Sequence, residues 1–176
     1  MEQYKNLLNS DRNQKIIVVG GGPAGVQAAL RAQELGAEVT ILDSNKLGGT
    51  AFNGGPAPVR TLARAARLRT DAKLYSQFGL EGDLPKVSFG EAIENANRVA
   101  AHANEVWHLT SIVKQQGITV IDEVGPAHFV NKNTLEISDG RQFTADKIIL
   151  AVGGKPRKLS IPGNELALSF NDLCRM

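Results

Sequence analysis

The chain has little of what would mark a secreted, membrane-bound or disulfide-stabilised protein. Only one of its 176 residues, Cys174, is a cysteine, which excludes an internal disulfide framework and favours a reducing compartment. The longest apolar runs, at residues 16–19 and 148–152, have the length of strands, and the polar N-terminus has no hydrophobic signal core. We therefore expect a cytoplasmic protein with no membrane partner.

The balance of charge is close to neutral. Lysines and arginines number 20 and acidic residues 18, so the formal net charge is +2. That charge is too small for a broad phosphate-neutralising face, and we expect no nucleic-acid partner. Hydrophobic residues make up 42% of the chain and charged residues 22%, which is typical of one folded domain.

Near its N-terminus the chain carries the pattern of two parallel strands joined by a helix. Lys15–Gly20 is a β-branched run stopped by glycines, which predicts a buried strand. Ala24–Leu35 has its apolar residues on one helical face, and Gly36 is a usual helix stop. Glu38–Leu42 predicts a second strand, parallel to the first because the crossover is a short helix.

The rest of the chain predicts loops, two helices and further strands. Residues 44–58 are rich in glycine and proline and predict a loop, residues 59–75 a basic helix, and residues 89–115 a long helix. Past Gly117 the apolar spacing is that of strands: 118–121 in the main sheet, 127–130, 134–138 and 141–144 in a small antiparallel meander, and 148–152 in the main sheet again.

The turn after the first strand fits the pattern G-x-G-x-x-G through Gly20, Gly22 and Gly25. Gly20 would permit the tight turn, Gly22 would let a pyrophosphate approach the backbone, and Gly25 would let the helix press on the strand. The helix N-terminus then offers free N–H groups to the phosphates. This context predicts dinucleotide binding, although a turn could also need its glycines for geometry alone.

Asp43 ends the second strand, 18 residues after Gly25. An acidic side chain at this place can accept hydrogen bonds from both ribose hydroxyls of an adenosine. Its negative charge would also repel a 2′-phosphate, so the site favours FAD or NAD over NADP. The alternative is an aspartate that simply faces solvent at a strand end.

Two segments favour FAD over NAD by resemblance. Residues 43–62, with Leu47–Thr50, resemble the segment by which flavoprotein disulfide reductases bind the FAD diphosphate and place their redox cysteines. This family includes dihydrolipoyl dehydrogenase, glutathione reductase and mercuric reductase. Residues 144–156 are similar to the family's strand that ends in Ala-Thr-Gly beside the cofactor, with Val152 in the threonine place. The resemblance covers about residues 15–170.

The resemblance implies a three-layer α/β domain, the Rossmann-like fold that binds FAD or NAD(P), with a parallel sheet and a small antiparallel β-meander. We expect residues 1–14 to form an N-terminal tail, residues 15–156 the FAD-binding domain, and residues 157–176 a linker toward an NAD(P)H domain that this chain does not contain. The same resemblance assigns FAD contacts to thirteen positions: Gly20, Gly22, Pro23, Ala24, Gly25, Asp43, Lys46, Gly48, Gly49, Thr50, Ala127, Ala151 and Gly153.

The chain departs from the family at the redox cysteines. The family pattern places them at positions 51 and 56, where this chain has Ala51 and Pro56. Disulfide exchange needs one thiolate to attack and a second thiol to resolve, so this route is excluded. Arg60 stands where many relatives carry a lysine near the flavin; its guanidinium stays charged, and its alternative role is on a solvated helix face with Arg64 and Arg67.

Two functions remain open from the sequence. The first is the FAD-binding portion of an FAD-dependent pyridine nucleotide oxidoreductase that lacks a redox disulfide; a full-length relative would add NAD(P)H binding and a homodimer domain. The second is a non-catalytic dinucleotide-binding module. The three histidines, His102, His108 and His128, have no metal-ligand spacing, so we expect no metal site.

Overall fold

A computed structural model describes residues 13–53, 55–107, 109–169 and 172. These residues form two compact units. The first combines the described residues up to Gly49 with Leu109–Lys155, and the second combines Thr50–Trp107 with the described residues after Lys155. The predicted tail lies almost wholly outside the described residues, as do Cys174 and His108.

The elements follow one another as the sequence pattern suggested, with additions around residue 50. In chain order they are β1 (Lys15–Val19), α1 (Pro23–Glu34), β2 (Glu38–Leu42), α2 (Gly49–Asn53), α3 (Pro56–Asp71), a 3-10 helix (Ala72–Phe78), α4 (Phe89–Trp107), α5 (Leu109–Gln115), β3 (Thr119–Ile121), β4 (His128–Asn131), β5 (Thr134–Glu136), β6 (Gln142–Thr144), β7 (Lys147–Leu150) and a second 3-10 helix (Asn164–Leu166).

The first unit is built on a parallel sheet with the strand order β3-β2-β1-β7. Val18 in the central strand β1 is in register with Ile41 on one side and Ile149 on the other. A second, antiparallel sheet has the order β4-β5-β6. The predicted parallel sheet and meander are therefore both confirmed.

Side chains of the parallel sheet alternate between two cores, because successive residues of a strand point to opposite faces. On one face Val18 and Ile41 are fully buried among side chains of α1 and α5, including Val26, Ala29 and Val113. On the other face the strands pack on the meander, with a core of Ile17, Leu42, Leu135, Ile137 and Ala145. This is the expected three-layer arrangement of helices, sheet and meander.

Helix α1 begins at Pro23, where the missing backbone N–H would have had no helical partner in any case. Its buried side is formed by Gly25, Val26, Ala29 and Ala32. After the helix, Gly36 adopts φ +92°, a left-handed conformation that glycine reaches without strain. The helix therefore starts and stops where sequence signals place it.

The meander is closed by polar contacts at its ends. The side-chain amide of Asn133 donates to the carbonyl of Ala145 at 2.8 Å, and the hydroxyls of Thr134 and Thr144 lie 2.9 Å apart. At the exposed turn, the hydrogen bond from the Arg141 side chain lowers the pKa of the Asp139 carboxyl. These contacts support the register between β5 and β6.

The predicted loop at residues 44–58 was wrong in its second half. Helix α2 occupies Gly49–Asn53, and α3 begins at Pro56. Proline fits the first turn of a helix, where its fixed φ is already helical, so Pro56 and Pro58 open α3 instead of extending the loop. At its other end α3 stops at Asp71, and the rest of the predicted helix is the 3-10 helix.

The second unit is dominated by α3 and α4, which pack on each other. Ala72, Ile93 and Ala96 are buried in this unit. The long helix expected at residues 89–115 is helical on both sides of residue 108, which lies outside the described residues. Over the part of the chain that the structure describes, no helix combines the length and apolarity needed to cross a membrane.

Substitution of Leu135 tests whether the meander is an essential layer of the fold. Its side chain is 1% exposed and packs on Ile17 and Leu42 of the parallel sheet. Replacing it with alanine should lower the free energy of unfolding by about 3 kcal/mol, since the lost contacts leave a cavity. Urea denaturation followed by circular dichroism measures the change. Val130→Ala, at an exposed position of β4, should cost less than about 1 kcal/mol; equal costs would contradict the three-layer core.

Candidate functional site

The candidate site lies at the carboxyl ends of the parallel strands. Beyond β1, Gly20 donates its backbone N–H to the carbonyl of Leu42 at 2.8 Å. Beyond β7, Ala151 donates to the carbonyl of Val19 at 2.8 Å, and beyond β2, Asp43 donates to the carbonyl of Ile121 at 3.0 Å. Three of the predicted site residues therefore meet at one edge of the sheet, which is where open α/β sheets bind ligands.

Gly20 and Gly25 are required by the fold itself. Gly20 adopts φ +100°, and a Cβ there would collide with the carbonyl oxygen of Ala151. A Cβ on Gly25 would collide with the carbonyl oxygen of Gly20 and lie 3.3 Å from the Cβ of Ala151. The expected roles of these two glycines, a tight turn and close packing of the helix on the strand, are confirmed.

Gly22 differs from its neighbours. Its backbone angles, φ −72° and ψ 178°, are those of extended chain that any residue adopts. A Cβ there would meet only the Cα of Gly49, at an ordinary contact distance of 3.9 Å. Neither the backbone nor the packing of the described residues explains a glycine at this position. A side chain at residue 22, the N-cap of α1, would instead fill space in front of the N-terminus of this helix.

The start of α1 is open to an anion. Gly22 is its N-cap and makes no side-chain capping bond, and the first turn contains no acidic residue. Pro23 and Ala24 are exposed at this end. The N–H groups of the first turn and the positive end of the helix dipole therefore have no capping side chain, and the carboxylate of Asp43 bonds the N–H of Gly21, one residue before the cap. Together with the space at Gly22, this arrangement fits a diphosphate.

Asp43 is only 8% exposed, so it is not a solvent-facing aspartate. One carboxylate oxygen accepts the backbone N–H of Gly21 at 2.5 Å, and the other accepts that of Asn45 at 2.9 Å. A carboxylate offers about four lone-pair positions, so both oxygens retain capacity for a further donor such as a ribose hydroxyl. Asp43 thus connects the glycine turn to the loop after β2 and can still bind a ligand.

The structure adds two residues that the sequence pattern left unassigned. A Cβ on Gly21 would collide with the side chain of Leu47 and lie 2.8 Å from a carboxylate oxygen of Asp43. Leu47 is 6% exposed and belongs to the helix-side core. The sequence did contain a signal for each residue. Gly21 is a third glycine in a run of three, of which the G-x-G-x-x-G pattern needs only two, and Leu47 is an apolar residue inside a polar loop.

The loop after β2 lies against the glycine turn. Gly48 donates its N–H to the carbonyl of Gly21 at 2.8 Å, and a Cβ on Gly49 would come within 2.9 Å of the Cα of Gly22. Lys46 in the same loop is exposed. The structure therefore brings the predicted residues Gly48 and Gly49 to the turn that carries Gly22, and Lys46 precedes them in the same loop.

The remaining predicted residues are more loosely placed. Val124 donates its N–H to the carbonyl of Asp43 at 3.2 Å, so the segment that leads to the half-buried Ala127 runs beside the Asp43 loop. Gly153 is exposed, with φ +69° and no atom within 4 Å of a hypothetical Cβ. Thr50 and Arg60 belong to the second unit, and their roles stay predictions.

Comparisons with known proteins match most of the chain. The family model described as pyridine nucleotide-disulphide oxidoreductase matches residues 14–175. The chain is 28% identical over 158 residues to a glutathione reductase of Nostoc sp., a match that covers 90% of this chain and 33% of the relative. It is 31% identical over 150 residues to a dihydrolipoyl dehydrogenase of Geobacillus stearothermophilus, covering 81% of this chain and 30% of the relative.

Two solved structures are similar in fold. The crystal structure of LpdA from Mycobacterium tuberculosis superposes with a TM-score of 0.65 and 25% identity, covering 83% of this chain and 33% of that one. A mutant of the HOCl-induced flavoprotein disulfide reductase RclA from Escherichia coli, as its Cu(II) complex, gives a TM-score of 0.70 at 22% identity, covering 94% and 35%. The chain spans about a third of the length of these relatives.

Gly25 and Gly22 should respond differently to the same substitution. Gly25→Ala should lower the free energy of unfolding by about 3 kcal/mol, because its Cβ overlaps a backbone carbonyl that has no room to move. Gly22→Ala should change it by less than about 0.5 kcal/mol, since the position is extended and open. Chemical denaturation measures both values. Similar losses in the two variants would mean that Gly22 also serves packing.

Proposed function

Because the chain belongs to the pyridine nucleotide-disulphide oxidoreductase family, we propose that it binds FAD, with the diphosphate at Gly22 and the adenosine ribose at Asp43. The observation that carries the proposal is the contrast among the glycines of the turn. Gly20, Gly21 and Gly25 are explained by packing, whereas Gly22 is not. A ligand that approaches the backbone closely supplies the missing reason.

The diphosphate would lie across the N-terminus of α1. Gly22 leaves space for it, and the N–H groups of Ala24 and Gly25 belong to the helix end that faces it. The family resemblance adds Pro23, Lys46, Gly48, Gly49 and Thr50 on the diphosphate side, and Ala127, Ala151 and Gly153 at other parts of the cofactor. Of these, Lys46 offers a positive charge on the loop that contacts the glycine turn.

The ribose would use the free lone pairs of Asp43. Each charge-assisted hydrogen bond from a ribose hydroxyl to this carboxylate contributes about 1.5–3 kcal/mol. Because both oxygens already accept backbone N–H groups, the carboxylate is held in place before the ligand arrives. The negative charge of Asp43 would repel a 2′-phosphate, so the proposed site favours FAD over a dinucleotide that carries this phosphate.

Bound FAD would supply hydride transfer, and a longer protein of this type would draw the hydride from NAD(P)H. With Ala51 and Pro56 at the family's cysteine positions, this chain has no thiols there to pass electrons to a disulfide. The proposed reaction therefore ends on an acceptor other than a disulfide relayed through this segment. By resemblance Arg60 would place a permanent positive charge near the flavin.

The second candidate function is a dinucleotide-binding module without turnover. The missing cysteine pair favours it. The two candidates separate in a simple assay of the purified protein. A yellow protein that reduces a dye or quinone with NADH supports the oxidoreductase, whereas FAD binding without turnover supports the module.

Gly22→Ala is the direct test of cofactor binding. Its methyl group would occupy the space proposed for the diphosphate, so FAD affinity should fall at least about tenfold while the fold is retained. Fluorescence quenching of FAD on titration with the protein measures the affinity. Gly90→Ala, in the second unit, is a control for an added methyl group on glycine, because a Cβ there meets no atom within 4 Å. Unchanged affinity in the Gly22 variant would contradict the proposal.

Introducing cysteines tests whether positions 51 and 56 correspond to the family's redox pair. A Cβ on Gly55 would lie 2.6 Å from the carbonyl oxygen of Thr50, so the two segments adjoin. The double variant Ala51→Cys/Pro56→Cys should form an intrachain disulfide with a mild oxidant if these positions correspond to the family's redox pair, whose two cysteines bond to each other. Titration of free thiols under denaturing conditions should then detect Cys174 alone.

The single variant Ala51→Cys is the matched control for that experiment. It should keep both of its thiols as a monomer after the same oxidation, because position 56 still carries proline and offers no thiol. If the double variant also kept all its thiols free, the proposed correspondence with the family's cysteine positions would be wrong.

A further inference from the structure

The segment between the first 3-10 helix and α4 is exposed along its whole length. It consists of residues 78–89, which we call the connector, and every one of them is exposed. Its large apolar side chains are between 48% and 75% exposed: Phe78, Leu80, Leu84, Val87 and Phe89. A patch of exposed apolar side chains this dense marks an interaction surface in a folded protein.

The middle of the connector is not hydrogen-bonded to the rest of the chain. Leu80 and Ser88, near its two ends, make backbone hydrogen bonds to the adjoining helices. Between them, residues 81–87 make no hydrogen bond within the part of the chain that the structure describes. A Cβ on Gly79 or Gly82 would meet no atom within 4 Å. The connector therefore offers both its backbone and its apolar side chains to a partner.

The charges of the connector are ordered along the chain. Glu81 and Asp83 lie in its first half and Lys86 in its second half, and none of the ion pairs among the described residues involves them. Two copies that run antiparallel would bring the base of each beside the acids of the other. Two copies that run parallel would bring like charges together. The connector is therefore complementary in charge to a second, antiparallel copy of itself.

The apolar side chains follow the same order. When a two-fold axis passes between Asp83 and Leu84, three positions on each side of it are matched in type. The opposed pairs are Phe78 with the partner's Phe89, Leu80 with the partner's Val87, and Glu81 with the partner's Lys86. A two-fold interface contains each such pair twice. One axis therefore matches apolar and charged positions together.

The apolar area of the connector is sufficient for a small specific interface. A large apolar side chain buries about 150–250 Å² when it is fully covered, so a half-exposed one offers on the order of 100 Å². Two connectors would then bury on the order of 1,000 Å² between them, which is the lower end for specific association. A lipid surface fits less well, since the net charge of the connector is negative and anionic headgroups would repel it.

We propose that the connector is a self-association surface, through which two copies of this chain form an antiparallel dimer about a two-fold axis. The apolar side chains of the two connectors would pack together, and Glu81 of each copy would pair with the partner's Lys86. This surface is separate from the homodimer domain that the family resemblance implies for a longer protein. The proposal concerns association alone and does not depend on whether the chain binds FAD.

Charge reversal tests the pairing on the full 176-residue chain. Sedimentation velocity at several micromolar protein concentrations measures the dimer dissociation constant. Glu81→Lys and Lys86→Glu should each raise it on the order of tenfold, because each sets like charges against each other twice across the axis. The double variant Glu81→Lys/Lys86→Glu restores opposite charges and should return to within about threefold of the unsubstituted chain.

Glu38→Lys is the matched control for these variants. It makes the same change of charge at an exposed position of β2 and should leave the dissociation constant unchanged. Leu80→Ser/Val87→Ser should abolish the dimer while the circular dichroism spectrum stays the same, since both side chains are exposed.

A chain that stays monomeric at every concentration would overturn the proposal, as would a dimer that the connector variants do not weaken more than Glu38→Lys does. Failure of the double variant to recover would contradict the antiparallel pairing. Oligomers larger than a dimer would contradict the two-fold axis, since an interface of this type closes with two copies.

Discussion

The structure depends on the close contact of backbone with backbone at the turn after the first strand. The carbonyl oxygen of Gly20 occupies the place where a side chain on Gly25 would begin, and Ala151 of the adjoining strand does the same for Gly20. Dispersion contacts at this distance require that no Cβ stands between the chains. These backbone contacts hold the start of α1 against the ends of β1 and β7. The positive, N-terminal end of the helix dipole therefore lies at the carboxyl edge of the sheet.

Two consequences for function follow from this contact. The helix N-terminus is presented without a side-chain cap, because the residues that would supply one are glycine and proline. Asp43 then connects the turn to the end of the second strand by accepting the N–H of Gly21, and in the proposed binding mode the same carboxylate would bind the ribose. In the proposed binding mode, the stability of the turn and the affinity for a nucleotide would depend on the same residue.

The sequence predicted most of the first unit, and it did so because the signals there are local. Strands of β-branched residues, a glycine pattern between strand and helix, and an acid at a strand end each occupy a few consecutive residues. The contact of Leu47 with Gly21 was not predictable, because it joins residues in different loops. Pro56 was misread because proline marks both turns and helix starts, and only the packing of α3 on α4 decides between them. The roles of Thr50 and Arg60 stay predictions.

A crystal structure of the chain grown with ADP tests the central claim most directly, since ADP contains the diphosphate and the ribose without the flavin. The account predicts the diphosphate beside Gly22, within hydrogen-bond distance of N–H groups at the start of α1, and the ribose hydroxyls on Asp43. A glycine turn that stays empty at saturating ADP, or ADP bound elsewhere on the chain, would contradict it.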